Sequence, residues 1–227
     1  MIAIIPAKGH SRRISNKNLR LINNKPLIYY SIKSALKSKL IKRVIVSTDS
    51  AKIANLSIKY GAEVPFIRPK KLSRNSTLTM DVCSHAVKFL EKQDNLKIKE
   101  IIILQPTSPL RNHNDIDKAI RMFRKSKKKY LTSFTKVKPI NWYFYKNHLN
   151  GFKKILSNNF LNFKKLNKTY VLNGSIYILD RDIIFRKKMN LTDILGVEIP
   201  FERSIDIDDI NELKMARKLI KNSDQEL

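Results

Sequence analysis

Cysteine is nearly absent: Cys83 stands alone among 227 residues, so no intrachain disulfide can form, and no His/Cys cluster has zinc-site spacing. The lone thiol reads as a buried structural group. Long apolar runs are missing too. No stretch reaches the roughly 18 residues that a membrane helix needs, and the apolar start at residues 1–5 is halted by Pro6 and Lys8. Neither a membrane span nor a signal peptide is expected, and a cytoplasmic setting fits. Acidic residues are scarce, with 19 Asp and Glu against 46 Lys and Arg, which leaves a formal charge of +27. Such a balance is common among nucleic-acid binders. Here the lysines are spread over the whole chain among Asn and Ile, so nucleic acid is not the expected partner. The densest run, residues 121–129, reads as the solvated last turn of a helix, where cations suit the dipole. No internal repeat or low-complexity linker divides the chain, so one domain over residues 1–227 is expected.

What is present is an alternation. Residues 1–6, 43–48 and 100–105 are short apolar runs rich in β-branched residues, as suits strands covered on both faces. Between them lie helical patterns. Ile28, Ile32, Ala35 and Leu36 share one face, as do Ile53, Leu56 and Tyr60, with Gly61 placed to end that helix. Val82, Ala86, Phe89 and Leu90 form another face, and Ile116, Ala119, Ile120 and Phe123 follow Asn112 or Asn114 as cap. Strand signals return at residues 175–179 and 197–199, before a closing helix carrying Ile210, Leu213, Ala216 and Ile220. The pattern predicts an α/β fold: a mostly parallel, Rossmann-like sheet with helices on both faces. Ligands of such sheets bind beyond the carboxyl ends of the strands, so the loops after Pro6, Thr48 and Gln105 should face one cleft.

Three segments can carry chemistry. The loop over residues 7–18 follows a buried strand and sets Lys8, Arg12, Arg13 and Lys17 around Gly9 and Ser11, a combination suited to polyphosphate. It has neither the Walker A pattern nor the dinucleotide fingerprint, which disfavours an ATPase or a Rossmann dehydrogenase. A basic surface loop is the plain alternative. Residues 104–111, Leu-Gln-Pro-Thr-Ser-Pro-Leu-Arg, form a rigid polar turn at a strand end that lets Gln105 present its amide. A purely structural turn would have the same residues. In the segment over residues 204–209, Asp206 and Asp208 are two apart and project from one side of an extended stretch, where they can share a hard cation. Capping of the last helix by Asp208 or Asp209 is the competing reading.

Taken in order, these segments resemble the acylneuraminate cytidylyltransferases, the CMP-nonulosonate synthetases, from residue 1 to about residue 219. The family loop A-R-x-x-S-K-x-x-x-x-K-N is echoed by Ala7, Lys8, Ser11, Arg12, Lys17 and Asn18, and Leu-Gln-Pro-Thr-Ser-Pro-Leu-Arg stands in full. Val-Ser-Thr-Asp at 46–49, Tyr-Gly-Ala-Glu-Val-Pro at 60–65, Arg68-Pro69, Asn-Gly-Ser-Ile-Tyr-Ile at 173–178 and Ser-Ile-Asp-Ile-Asp at 204–208 follow in family order. The resemblance implies a nucleotidyltransferase sheet and a reaction of CTP with a nine-carbon acidic sugar, releasing diphosphate. It implies that Lys8, Gly9, Ser11, Arg12 and Asn18 hold the triphosphate, with Arg68 and Thr79 near the nucleotide. Gln105 and Asn173 would face the sugar. Lys17, Asp206 and Asp208 would be catalytic, with Asp206 and Asp208 holding Mg²⁺. A positive field would then attract both anionic substrates.

This chain departs from the family at Lys8, where Arg is usual, and at Arg13, where a glycine often stands. Val171 and Leu172 occupy a position where some sialic acid enzymes carry a basic residue, so a deoxy sugar against an apolar wall is a further expectation. The rivals are a cytidylyltransferase for the eight-carbon acid Kdo, a nucleic-acid binder, and an inactive relative serving as an interaction module. The aromatics Trp142, Tyr143, Phe144, Tyr145, Phe152, Phe160 and Phe163 mark residues 136–172 as an excursion that, by resemblance, pairs two copies into a homodimer. His10 reads as a solvated loop residue, with contact to phosphate as the alternative, and His85 as a packing residue.

Overall fold

A computed structural model describes residues 1–138, 143–146, 152–154, 168–186 and 194–222. The chain opens with β1 (Ile2–Pro6), then a two-stranded turn, β2 (Leu21–Ile22) with β3 (Lys25–Pro26), and α1 (Leu27–Lys37). Next come β4 (Arg43–Ser47), α2 (Ala51–Lys59), α3 (Thr79–Asp94), β5 (Glu100–Leu104) and α4 (His113–Lys125). The remainder is β6 (Tyr130–Val137), the pair β7 (Phe144–Lys146) and β8 (Phe152–Lys154), β9 (Thr169–Asp180), α5 (Arg181–Arg186), β10 (Leu195–Glu198) and α6 (Ile210–Asn222).

Six strands form the central sheet in the order β10-β6-β9-β5-β1-β4. All neighbours are parallel except those of β9, which runs antiparallel between β5 and β6. Strict alternation assigns each strand to two cores. Ala3 and Ile5 of β1, Val44 and Val46 of β4, and Ile102 and Leu104 of β5 face α1, α2 and α4. Ile4, Ile45, Ile101 and Ile103 face α3 and α5 on the other side. A fully buried side chain of this size contributes about 1.5–3 kcal/mol, so a one-residue slip of register would forfeit an entire face. A third cluster, with Ile14, Ile22, Leu110 and Ile207, seats α6 beside the first loop.

Helix ends follow local chemistry. Ser50 caps α2 by accepting from Ile53 N, and Gly61 at φ +95° ends it, with Ala62 N bonded back to Ser57 O at 3.0 Å. Asn112, not Asn114, caps α4 in a reciprocal box with Asp115. Leu36 and Phe89 lie at the edges of their helix faces, 43% and 37% exposed. Cys83 is buried, and desolvation pushes its thiol up to about 12, as befits an inert structural residue. Trp142, Phe160 and Phe163, and most of the 136–172 excursion, lie outside the described residues.

Candidate functional site

The loops after β1, β4 and β5 meet at the carboxyl edge of the sheet. Gly9 N donates to Asp49 Oδ1 at 2.8 Å, tying the first loop to the end of β4. A Cβ on Gly9 would stand 2.9 Å from Ser50 Cβ, so only glycine permits this approach. Buried Asn18 turns back to donate to Lys8 O at 2.8 Å, closing the loop on itself. Its cations line a cleft of about 320 Å³. Lys8, Ser11, Arg12, Lys17, Asn18 and Gln105 border that cleft, as do His10, Arg13, Asn75 and Thr107. Lys8 Nζ crosses it to Asn75 Oδ1 at 2.6 Å.

The Asp206 segment closes one side. Ile207 N donates to Thr107 O at 2.8 Å, which fixes the segment to the turn after β5. Ile205 and Ile207 point into the third core cluster, leaving Asp206 and Asp208 on the opposite side of the extended chain. Capping of α6 falls to Asp209, whose Oδ1 accepts from Asn211 N and Glu212 N at 2.8 and 3.0 Å, while Glu212 accepts from the backbone of Asp208 and Asp209. Neither Asp206 nor Asp208 spends its carboxylate on the cap.

These two carboxylates differ. Asp208 is held on both oxygens, by Arg13 at 3.0 Å and by Lys17 at 3.2 Å. Lys17 also donates to Ile207 O at 2.7 Å. Asp206 is half-buried, and its Oδ1 has no hydrogen-bond partner. Burial foremost, then Asp208 and Glu212, push its pKa up against the opposing pull of a Thr107 hydrogen bond and Lys17. An unpartnered carboxylate oxygen beside a second carboxylate is a donor set suited to a hard divalent cation completed by phosphate oxygens. Among the described residues no cluster of three or more His, Cys, Asp or Glu could hold an ion alone.

Other expected residues sit around this centre. Arg68 is buried and donates to Ser47 O, Asp49 and Ser73 Oγ at 3.3, 3.4 and 3.1 Å, so it braces the Asp49 anchor of the first loop. Burial foremost lowers its pKa, opposed by Asp49. Asn173 is also buried. Its amide oxygen accepts from Ser133 Oγ and Ser175 N, and its nitrogen donates to Thr135 Oγ1, across a register shift between β6 and β9. Next to it Gly174 holds φ +70°, and a Cβ there would lie 3.3 Å from Asp206 Oδ2.

Thr79 lines a second cavity of about 190 Å³, with Met80, Ile103, Gln105, Tyr177 and Leu179. Gln105 borders both cavities, which makes it the hinge between a cationic cleft and a mostly carbon-lined one. Val171 and Leu172 are about half exposed on the first part of β9 and line neither cavity. The second cavity takes its apolar lining from Met80, Ile103 and Leu179. Sequence reasoning gave no role to Asn75, Thr107 or Tyr177. The last two lie inside motifs already singled out, whereas Asn75 had no signal of its own. His85 packs against Phe66 with ring centroids 4.8 Å apart, in its expected structural role.

Comparison with known proteins converges on one chemistry. The family described as "Cytidylyltransferase" matches residues 2–203. Pseudaminic acid cytidylyltransferase of Campylobacter jejuni is 32% identical over 97% of this chain and 96% of its own length. The CMP-N,N'-diacetyllegionaminic acid synthase of Legionella pneumophila is 32% identical over 100% and 99%. Among solved structures, CMP:2-keto-3-deoxy-manno-octonic acid synthetase complexed with CTP superposes with a TM-score of 0.72 at 17% identity, covering 97% of this chain and 98% of that one, which speaks to the fold alone.

Proposed function

The chain belongs to the cytidylyltransferase family, and from that premise we propose that it transfers the CMP part of CTP to a nonulosonic acid and releases diphosphate. The observation that carries this reading is the convergence at one sheet edge of the Lys8–Lys17 loop, the Gln105 turn and the Asp206/Asp208 pair. CTP lies with its triphosphate among Lys8, Ser11, Arg12, Lys17 and Asn18. A triphosphate there competes with Asp208 for Arg13 and Lys17, which frees carboxylate oxygens as the nucleotide arrives. The sugar enters on the Gln105 side.

In the reaction the anomeric hydroxyl attacks the α-phosphorus in line, the new P–O bond forms as the hydroxyl proton passes to solvent, and the bond to diphosphate breaks. No protein nucleophile is required. The chain aligns the two reactants, and its cations stabilise charge on the transferring group. Asp206 and Asp208 would hold Mg²⁺, which would neutralise phosphate charge and polarise the phosphoryl oxygens. Lys17 sits next to this position through Asp208 and Ile207 O, and serves both to hold phosphate and to orient the carboxylate.

Two finer points belong to the same reading. The carbon-lined cavity beyond Gln105 suits a methyl or acyl group better than a polyhydroxy tail, which favours a deoxy nonulosonic acid. Exposed Tyr170, Val171 and Leu172 on β9, with Phe201, are apolar surface suited to pairing with a second copy near the 136–172 excursion, as a homodimer. A cytoplasmic setting accords with the single unpaired Cys83. The experiment is diphosphate release from CTP and Mg²⁺ across N-acetylneuraminate, legionaminate, pseudaminate and Kdo. Release with a nonulosonic acid and not with Kdo is expected; release with Kdo alone replaces the substrate, and none with any acid removes the reaction.

A further inference from the structure

The largest fully buried side chain among the described residues is Arg111, the last residue of the Leu-Gln-Pro-Thr-Ser-Pro-Leu-Arg turn. Buried arginines ordinarily sit on a carboxylate, because an ion taken out of water without a counterion costs stability. This one spends its hydrogen bonds on neutral groups. Nη1 donates to Ser175 O at 2.8 Å and to Gln105 O at 3.3 Å, and Nη2 donates to Ser31 Oγ at 2.8 Å. Its Nε has no partner. The nearest acid that acts on it electrostatically, Asp115, is already paired with Arg203 at 2.6 Å.

The groups it holds are not arbitrary. Gln105 O receives a second donor, Ser31 Oγ, at 3.0 Å, so the backbone of the residue bordering both cavities is fixed from beneath. Ser175 lies at the register shift, where its N–H donates to Asn173 Oδ1 at 3.2 Å. Both residues expected on the sugar side, Gln105 and Asn173, are therefore tied to one guanidinium. The planar guanidinium fork serves its three acceptors from two nitrogens, both carbonyls from Nη1 and the Ser31 hydroxyl from Nη2, whereas a lysine ammonium would have to reach all three from one shorter-reaching nitrogen.

We propose that Arg111 is the positioning residue of the sugar half of the site: from beneath the sheet edge it sets the Gln105 amide and the Asn173–Ser175 bulge in register with each other. The inference rests on the reading that the sugar binds beside Gln105. The first loop hangs from Asp49 and Arg68 instead, so the triphosphate-binding cations have an anchor of their own.

The test compares wild type, Arg111→Lys and Ser31→Ala by diphosphate release, with KM measured for each substrate at saturation of the other, and Tm measured alongside. Arg111→Lys keeps the charge and loses the fork. It is expected to lower kcat/KM for the sugar about tenfold or more, the scale of a small misplacement, while KM for CTP stays within about twofold. Ser31→Ala removes one donor to Gln105 O and the acceptor of Arg111 Nη2, with a volume change of a single oxygen, and its Tm reports the cost of that buried donor; it should move the sugar constants in the same direction by about threefold. Should Arg111→Lys fail to fold, Ser31→Ala alone decides. Lower Tm with unchanged constants, or equal rises in both KM values, would mean a merely structural arginine and overturn the proposal. Wild type is assayed first, so a failure of the reaction assignment shows as no release at all and is distinct from a change confined to the variants.

Discussion

Asp206 pairs a Thr107 hydrogen bond with a buried carboxylate oxygen, Oδ1, that has no partner, and burial holds its pKa above the ordinary 3.8. In the folded protein the charged form is disfavoured, so the cost is absent below the unfolded value and grows as pH rises through the folded one. Asp206→Asn is therefore expected to raise Tm at neutral pH, with the gain vanishing below about pH 3.8 in thermal melts across pH. The same substitution should lower kcat/KM by about 100-fold or more, as loss of a preorganised electrostatic group does. Asp208 differs because its partners are unequal: Lys17 is 13% exposed and Arg13 is 65% exposed. An exposed ion pair contributes at most about 1 kcal/mol, so Arg13→Gly should change kcat/KM by less than about fivefold. Lys17→Ala, which removes a shielded cation from carbonyl, carboxylate and phosphate together, should cost about 100-fold. Steady-state kinetics on the two variants checks that ranking.

The elements bring these residues together through close approaches at two glycines, Gly9 and Gly174. Gly174 combines φ +70° with a carboxylate 3.3 Å from its absent Cβ. Gly174→Ala should destabilise the protein by about 1–3 kcal/mol and depress turnover, read by denaturant unfolding and kinetics on the same samples. Much of this layer was legible in the sequence. The β-branched runs at β1, β4 and β5, Gly61 and the α6 pattern each have a period or a cap that depends on local chemistry alone. The antiparallel insertion of β9 between β5 and β6 was not, because strand direction is set by the chain's path through the excursion and leaves no mark in an apolar run. The site was legible as segments and not as roles. Arg68 and Asn173 stand in recognised motifs, yet what they touch depends on burial, and burial turned both inward to brace the backbone. Val171 and Leu172 line neither cavity, and the carbon-lined one is built by Met80, Ile103 and Leu179, which belong to elements far apart in sequence. Only the packing of α3 against β5 and β9 gathers them.

For the molecule as a whole, the formal charge of +27 and a cationic cleft at the sheet edge would, under the proposed function, attract two anionic substrates. KM for CTP should then rise with ionic strength, several-fold between about 50 and 200 mM salt, whereas a neutral osmolyte at matched osmolality leaves it unchanged. Pairing of two copies is tested by sedimentation at micromolar concentration, where a monomeric mass would remove the homodimer. The central claim is that the cationic loop, the Gln105 turn and the Asp206/Asp208 pair form one centre for cytidylyl transfer to a nonulosonic acid. Diphosphate release from CTP with Mg²⁺ tests it most directly, run with the nonulosonic acids for wild type, Asp206→Asn and Asp208→Asn. Release by wild type with at least one of these acids, and its near-loss in both variants, is the expected result. No release with any acid, or full activity in both variants, would contradict it.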